Sequence, residues 1–359
     1  MEPKKYQYID SLRGIAVLLV ILVHVGTVLD NTTQYFPQEG LLLNIIHNGA
    51  YGVQLFFVVS AFTLMMSHYN RLDEPDKNRN FFIRRFFRIA PMFYLAIVYF
   101  TFFRYVNIDF PHFDFSPVPL KCLLSEATFT SSLFPPFTNN YVPGGWSVSV
   151  EFLFYLSLPL ICSKIKNFNS ALILFFSTLL FAIIADPIIK ANTYHPYYHS
   201  FNFFIQLPVF PLGIIGYFYL NRKEHDIKPV SWIFAAILIL IFCYIAIPKN
   251  IMFSLVFVLL LIIQAKYSFK LFSNRLLAAV GKVSFSMYLV HFALVYFFNK
   301  IHFSYVLGID GFGTSFLNFI LMYAIVVTLT FVISSLTYRL IELPGQNIGR
   351  RIIKNLNKK

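Results

Sequence analysis

The sequence predicts an all-α fold: a polytopic transmembrane helical bundle of about ten spans with both termini in the cytoplasm. Three observations predict it. The chain has 359 residues, 57% hydrophobic and 13% charged, whereas a soluble domain is roughly 45–50% apolar and about 25% charged. Ten apolar stretches approach the roughly 20 residues that a helix needs to span a bilayer. Lys and Arg then fall on alternate connections, 24 of the 29 on one side, as the positive-inside rule requires. That rule also accounts for the net charge of +13, so the excess of basic groups does not point to nucleic acid. The composition excludes a disordered chain, a collagen-like chain and a cysteine-stapled secreted domain.

Taken in order, the first stretch, 12–29, follows Lys4 and Lys5. No A-x-A cleavage site follows it, so it reads as an uncleaved span. The next are 50–66 and 89–105, joined by a segment holding six Lys and Arg. The fourth, 146–162, opens after the turn Pro143-Gly144-Gly145, with Trp146 at the interface. Then come 169–186, 201–220, 230–247 and 250–264, the last two separated by Pro248 and Lys249 in a tight hairpin. The spans end with 283–299 and 314–338. Residues 1–345 read as one transmembrane domain and 346–359 as a basic cytoplasmic tail. Cys122, Cys162 and Cys243 show neither zinc spacing nor a disulfide framework, and no metal site is expected.

Polar groups inside such a chain need a reason, since a charge at a helix centre costs about 2.5–3.5 kcal/mol on insertion scales. Glu151, near the start of the fourth span, is the clearest case. Ser147, one turn earlier on the same face, is placed to hydrogen-bond it. A helix-start carboxylate favoured by the macrodipole is the plainer reading. Arg13 and His24 are eleven residues apart in the first span, about three turns plus 20°, so they share one stripe about 16 Å long. A snorkelling Arg and an unrelated interfacial His would also fit. Arg84, Arg85 and Arg88 precede the third span at i, i+1 and i+4. They form a basic cluster suited to phosphate or to anionic lipid. In the ninth span Ser284, Tyr288 and His291 make a polar stripe, suited to interhelical hydrogen bonding or to a substrate. The outer loop 106–145 is long and rich in proline, and such loops are often functional.

Five blocks of sequence, in order, resemble the acyltransferase family 3 membrane proteins, the bacterial O-acyltransferases. They are Tyr8-Ile9-Asp10-Ser11-Leu12-Arg13-Gly14-Ile15-Ala16 running on to His24; Gly52-Val53-Gln54-Leu55-Phe56-Phe57-Val58-Val59-Ser60; the arginines ending in Arg88-Ile89-Ala90-Pro91; Trp146-Ser147-Val148-Ser149-Val150-Glu151; and Ser284-Phe285-Ser286-Met287-Tyr288-Leu289-Val290-His291. Each is weak singly, whereas five in order are specific. One departure is Ser60-Ala61-Phe62, where the family usually has Ser-Gly-Phe.

The resemblance implies a multi-pass protein of the cytoplasmic membrane. It would move an acyl group, most often acetyl, from cytoplasmic acyl-CoA to a hydroxyl of an extracytoplasmic or lipid-linked glycan. His24, Glu151 and Arg13 would be catalytic. Arg84, Arg85 and Arg88 would hold the CoA phosphates, and Trp146, Ser147, Tyr288 and His291 would contact substrate. The bilayer, the donor and the glycan are the implied partners, without nucleic acid; a homo-oligomer is compatible with the sequence. The competing reading is a secondary transporter of a small anionic solute, which would also bury Arg, His and Glu among ten spans.

Overall fold

The computed structural model describes residues 6–32, 40–105, 120–138, 141–193, 198–221, 248–303, 306–308 and 311–358. Helix dominates throughout. Among the described residues eight helices are long and apolar enough to cross a membrane, and a ninth crossing is reached if one bent pair counts as a span. Nine of the ten sequence-read stretches therefore have a helical counterpart. The stretch 230–247 lies outside the described residues, as does part of the 106–145 loop.

The long helices are α1 (Gln7–Thr32), α3 (Gly52–Tyr69), α4 (Lys77–Tyr105), α6 (Gly145–Lys164), α7 (Phe168–Ala191), α10 (Lys249–Tyr267), α12 (Ser284–Lys300) and α13 (Phe312–Thr337). Shorter helices join them: α2 (Leu41–Asn48), α5 (Leu120–Ala127), α8 (Phe203–Gln206), α9 (Val209–Leu220), α11 (Arg275–Lys282) and α14 (Leu343–Leu356). Two departures from the sequence reading matter for function. The ninth span is preceded by α11, bent from α12 by 76°. The tenth does not stop near 338: it passes through a π-turn at Tyr338–Glu342 and continues as α14. The basic tail is thus helical through Leu356.

The chain divides into two units. The first comprises Met1–Val53, Phe87–Ser116 and Phe269–Ile348. Here α1 runs against α11, and glycines set the spacing. A Cβ on Gly14 would strike the carbonyl oxygen of Leu277, and one on Gly281 would strike that of Asp10. The two backbones therefore touch, and Ser11 Oγ adds a bond to Asn274 O at 3.2 Å. Helices α12 and α13 also pack on α1, where Tyr323 Oη donates to Leu18 O at 3.1 Å.

The second unit comprises Gln54–Phe86, Pro117–Ser268 and Gly349–Lys359. Its centre is aromatic: Phe210 stacks on Phe154 at 4.0 Å and on Phe57 at 4.8 Å between ring centroids. Gly213 lets α9 approach α3, since a Cβ there would strike Val58 O and crowd the Ala61 methyl. The extra methyl of Ala61 thus faces a residue with none. Helix α7 leaves Ile173, Leu180, Ile184 and Ile188 exposed, an apolar stripe suited to lipid.

Candidate active site

The first unit brings two histidines together. His24, midway along α1, is half-buried, whereas His291 on α12 has no exposed surface. His24 Nδ1 lies 2.7 Å from Val20 O and 3.4 Å from His291 Nε2. His291 Nδ1 lies 3.2 Å from Met287 O. The Phe292 ring packs edge-on against His24 at 4.6 Å. Tyr288 is buried, its ring 5.8 Å from that of His291. Arg13 is also on α1, with Nη1 3.5 Å from Asp10 Oδ1. The Arg13–His24 stripe of the sequence therefore lies on one unbroken helix.

A second site forms in the other unit around Glu151. Gly144, with φ +73°, takes the left-handed conformation that starts α6, a conformation glycine adopts without penalty. Gly145 follows with no room for a side chain, because a Cβ there would strike the Glu126 carboxylate. Glu151 Oε1 then accepts two hydrogen bonds, from Ser60 Oγ at 2.5 Å and from Tyr155 Oη at 2.6 Å. Ser147 does not serve Glu151 as the sequence suggested. Its hydroxyl donates to Gly144 O at 2.9 Å, because a first-turn serine reaches the carbonyl three residues back, within its own turn. Trp146 stacks on Phe201 at 4.4 Å and stands edge-on to Phe57. Ser149 holds the preceding segment down, donating to Phe129 O and bonding Ser132.

The three arginines have different partners. Arg84 is engaged by both oxygens of Glu74, at 2.6 and 2.9 Å. Burial alone would raise the Glu74 carboxyl, but the bonds and charge of Arg84, with Asn80 and Arg71 beside it, hold it below its ordinary value. Arg85 lies over the rings of Phe81 and Tyr155, 5.5 Å from each centroid. Through Tyr155 it stands one residue away from Glu151. Arg88, in the first unit, acts electrostatically on Glu342 of the π-turn. Spacing on a helix fixes which face a residue takes, whereas Glu74 precedes the helix and Tyr155 and Glu342 come from distant stretches of chain. A small open hollow sits beside Arg84, lined among others by Arg71, Lys77, His68 and Phe81.

Comparison with known proteins decides what kind of chain carries these sites. Residues 6–339 match the family described as an acyltransferase domain, acyltransferase 3. The chain belongs to the acyltransferase 3 family. A Staphylococcus aureus (strain COL) protein provisionally named an O-acetyltransferase is 26% identical over 99% of this chain and 59% of its own length. An Acidianus two-tailed virus protein provisionally named an acetyltransferase is 31% identical over 60% of this chain and 59% of its own. A Haemophilus influenzae protein of uncharacterised role is 28% identical over 56% of this chain and 89% of its own. The chain thus spans about three-fifths of the Staphylococcus relative it matches. No solved structure matches it.

In this acyltransferase 3 chain the sequence reading missed four polar side chains. Ser60 stands in a quoted block but was given no role, and Tyr155 lies one turn beyond Glu151; its i+4 spacing was a readable signal. Glu126 and Glu342 sit at a loop and a span edge in the sequence, yet both are buried. Glu342 accepts a bond from Ser286 Oγ, a pairing across 56 residues that no local pattern marks.

Proposed function

We propose that the chain is an integral-membrane O-acyltransferase of the cytoplasmic membrane. It moves an acyl group, acetyl first among them, from acyl-CoA to a hydroxyl of an extracytoplasmic or lipid-linked glycan. The family match over residues 6–339 carries this reading, and the names of the relatives favour acetyl. The distribution of basic groups favours termini and a 67–88 segment on the cytoplasmic side, where acyl-CoA is made.

A glycan hydroxyl is a weak nucleophile and needs a base. His24 supplies it: a half-buried neutral imidazole suits that work near pH 7. Glu151, held by Ser60 and Tyr155, acts as a fixed negative charge that positions the acceptor and stabilises developing positive charge. Arg13 stabilises charge on the thioester side. Arg85 and Arg88 receive donor phosphates, with Arg84 available once Glu74 releases it. Trp146 and Tyr288 remain candidates for contact with the acceptor.

The test is deletion of the gene followed by NMR or mass spectrometry of each surface glycan. The expected outcome is loss of ester from one glycan, restored by the wild-type gene and not by His24→Ala. Unchanged esters together with lost uptake of a labelled anionic solute would instead establish the transporter.

A further inference from the structure

We infer that His291 is a positioning residue: together with Val20 O it holds His24 in the tautomer that bears its proton on Nδ1, leaving Nε2 as the basic nitrogen. The inference deepens the role proposed for His24 and rests on that reading for its catalytic consequence.

The argument starts from two carbonyl oxygens, which can only accept. His24 Nδ1 is 2.7 Å from Val20 O, so it must carry the proton. His291 Nδ1 is 3.2 Å from Met287 O, so it carries one as well. A neutral imidazole has a single N–H. His291 Nε2 is therefore a lone pair, and its neighbour at 3.4 Å is the Nδ1–H of His24. Every contact is then matched, donor to acceptor. The His24 proton is shared between Val20 O and His291 Nε2, and both second nitrogens are determined. The reverse tautomer of His24 would set two lone pairs, Nδ1 and Val20 O, against each other.

Burial divides the labour. His291 has no exposed surface and both of its nitrogens are occupied, so it cannot reach a substrate; the substrate contact read from the sequence passes to other residues. His24 keeps part of its surface open. In the transfer the acceptor O–H bond breaks and its proton goes to His24 Nε2. The acceptor oxygen bonds the acyl carbon, the carbon–sulfur bond breaks, and the proton on Nε2 passes to the departing thiolate, giving CoA thiol. Throughout, Nδ1–H stays directed at Val20 O and the His291 lone pair, which helps to hold the transient imidazolium. A third group that orients the base in this way is a recurring device in acyl transfer.

The primary test needs no variant: nitrogen-15 histidine NMR of the detergent-purified full chain, with His24 assigned by the signal lost in His24→Ala. Protonated Nδ1 and bare Nε2 on His24 are expected; protonated Nε2 overturns the inference. The second test follows thiol release from acetyl-CoA by the full chain in native membranes. His291→Leu should lower kcat about tenfold or more with an unchanged KM for acetyl-CoA, and His291→Gln, whose amide oxygen can accept the same proton, should recover most of it. Equal loss in both variants, or none in Leu, also overturns the inference. If His24→Ala leaves thiol release intact, the base role under Proposed function fails, while the NMR result still decides the tautomer.

Discussion

The two candidate sites solve opposite problems. At His24 the proposed base is an imidazole bonded to one backbone oxygen and to a second histidine ring. At Glu151 the group gathers donors, with Ser60 and Tyr155 both on one oxygen and Arg85 over the Tyr155 ring. An unpaired charge in apolar surroundings is costly, so a carboxylate must be held by donors, whereas an imidazole needs only a fixed tautomer. On the proposed roles one site offers a lone pair and the other a charge, and substitutions can separate these.

The largest effects fall on the central groups. His24→Ala and Glu151→Gln should each reduce acyl transfer by about 10²-fold or more with normal membrane expression, measured as ester content of the acceptor glycan. Glutamine keeps shape and hydrogen bonding but not charge, so full activity in Glu151→Gln would break the comparison. One step smaller, Tyr155→Phe and Ser60→Ala each remove a bond to a charged group, worth about 1.5–3 kcal/mol, or roughly 10- to 150-fold. Because both bonds end on one oxygen, their losses should be non-additive in a double-mutant cycle; strict additivity would mean that they serve separate functions.

Smaller still is the effect of Arg85→Lys. An ammonium stacks on a ring less well and cannot present a planar fork to phosphate. CoA binding to purified protein should weaken several-fold at Arg85 and less at Arg84, whose fork already faces Glu74. Equal affinities across the arginine variants would assign the donor to another surface.

The smallest effect is set by pH. The folded Glu74 carboxyl titrates below its ordinary value, so its pair with Arg84 adds stability above about pH 4.3, the usual glutamate value. That contribution drains away as pH falls through the lower folded value. For so peripheral a pair it is on the order of 1 kcal/mol or less. Thermal melts of wild type and Glu74→Gln should therefore differ slightly at pH 7 and converge near pH 3. A gap that widens in acid would refute the assignment.

Most of the helical frame was legible because a span is a local property: about 20 apolar residues announce it. Glu151 stood out as a candidate because a charge inside such a run is expensive, and His24 because it shares a stripe with Arg13. The arginines were visible as a group, but i, i+3 and i+4 spacing predicts a common face and says nothing of Glu74, Tyr155 or Glu342. The His24–His291 contact joins residues 267 apart. The bend before α12 and the backbone contact of Gly14 with α11 are decided by packing between distant segments, so they leave no periodic trace. Gly14 and Gly281 are plain residues in the sequence, and only the crossing of two helices gives them meaning.

The π-turn at Tyr338–Glu342 carries a consequence for how this chain can vary. A π-turn holds one residue more than the helix around it would need. Removing a single residue there would let the turn relax into ordinary α-helix, and the segment beyond it would keep its face, because the widened turn already absorbs the extra residue. The Gly345 face would stay against Pro91, and the loss would fall on the turn itself, where Glu342 meets Ser286. A one-codon deletion within these five residues would thus touch one buried contact and spare the helix beyond it. Length is more forgiving at this turn than elsewhere along the same helix.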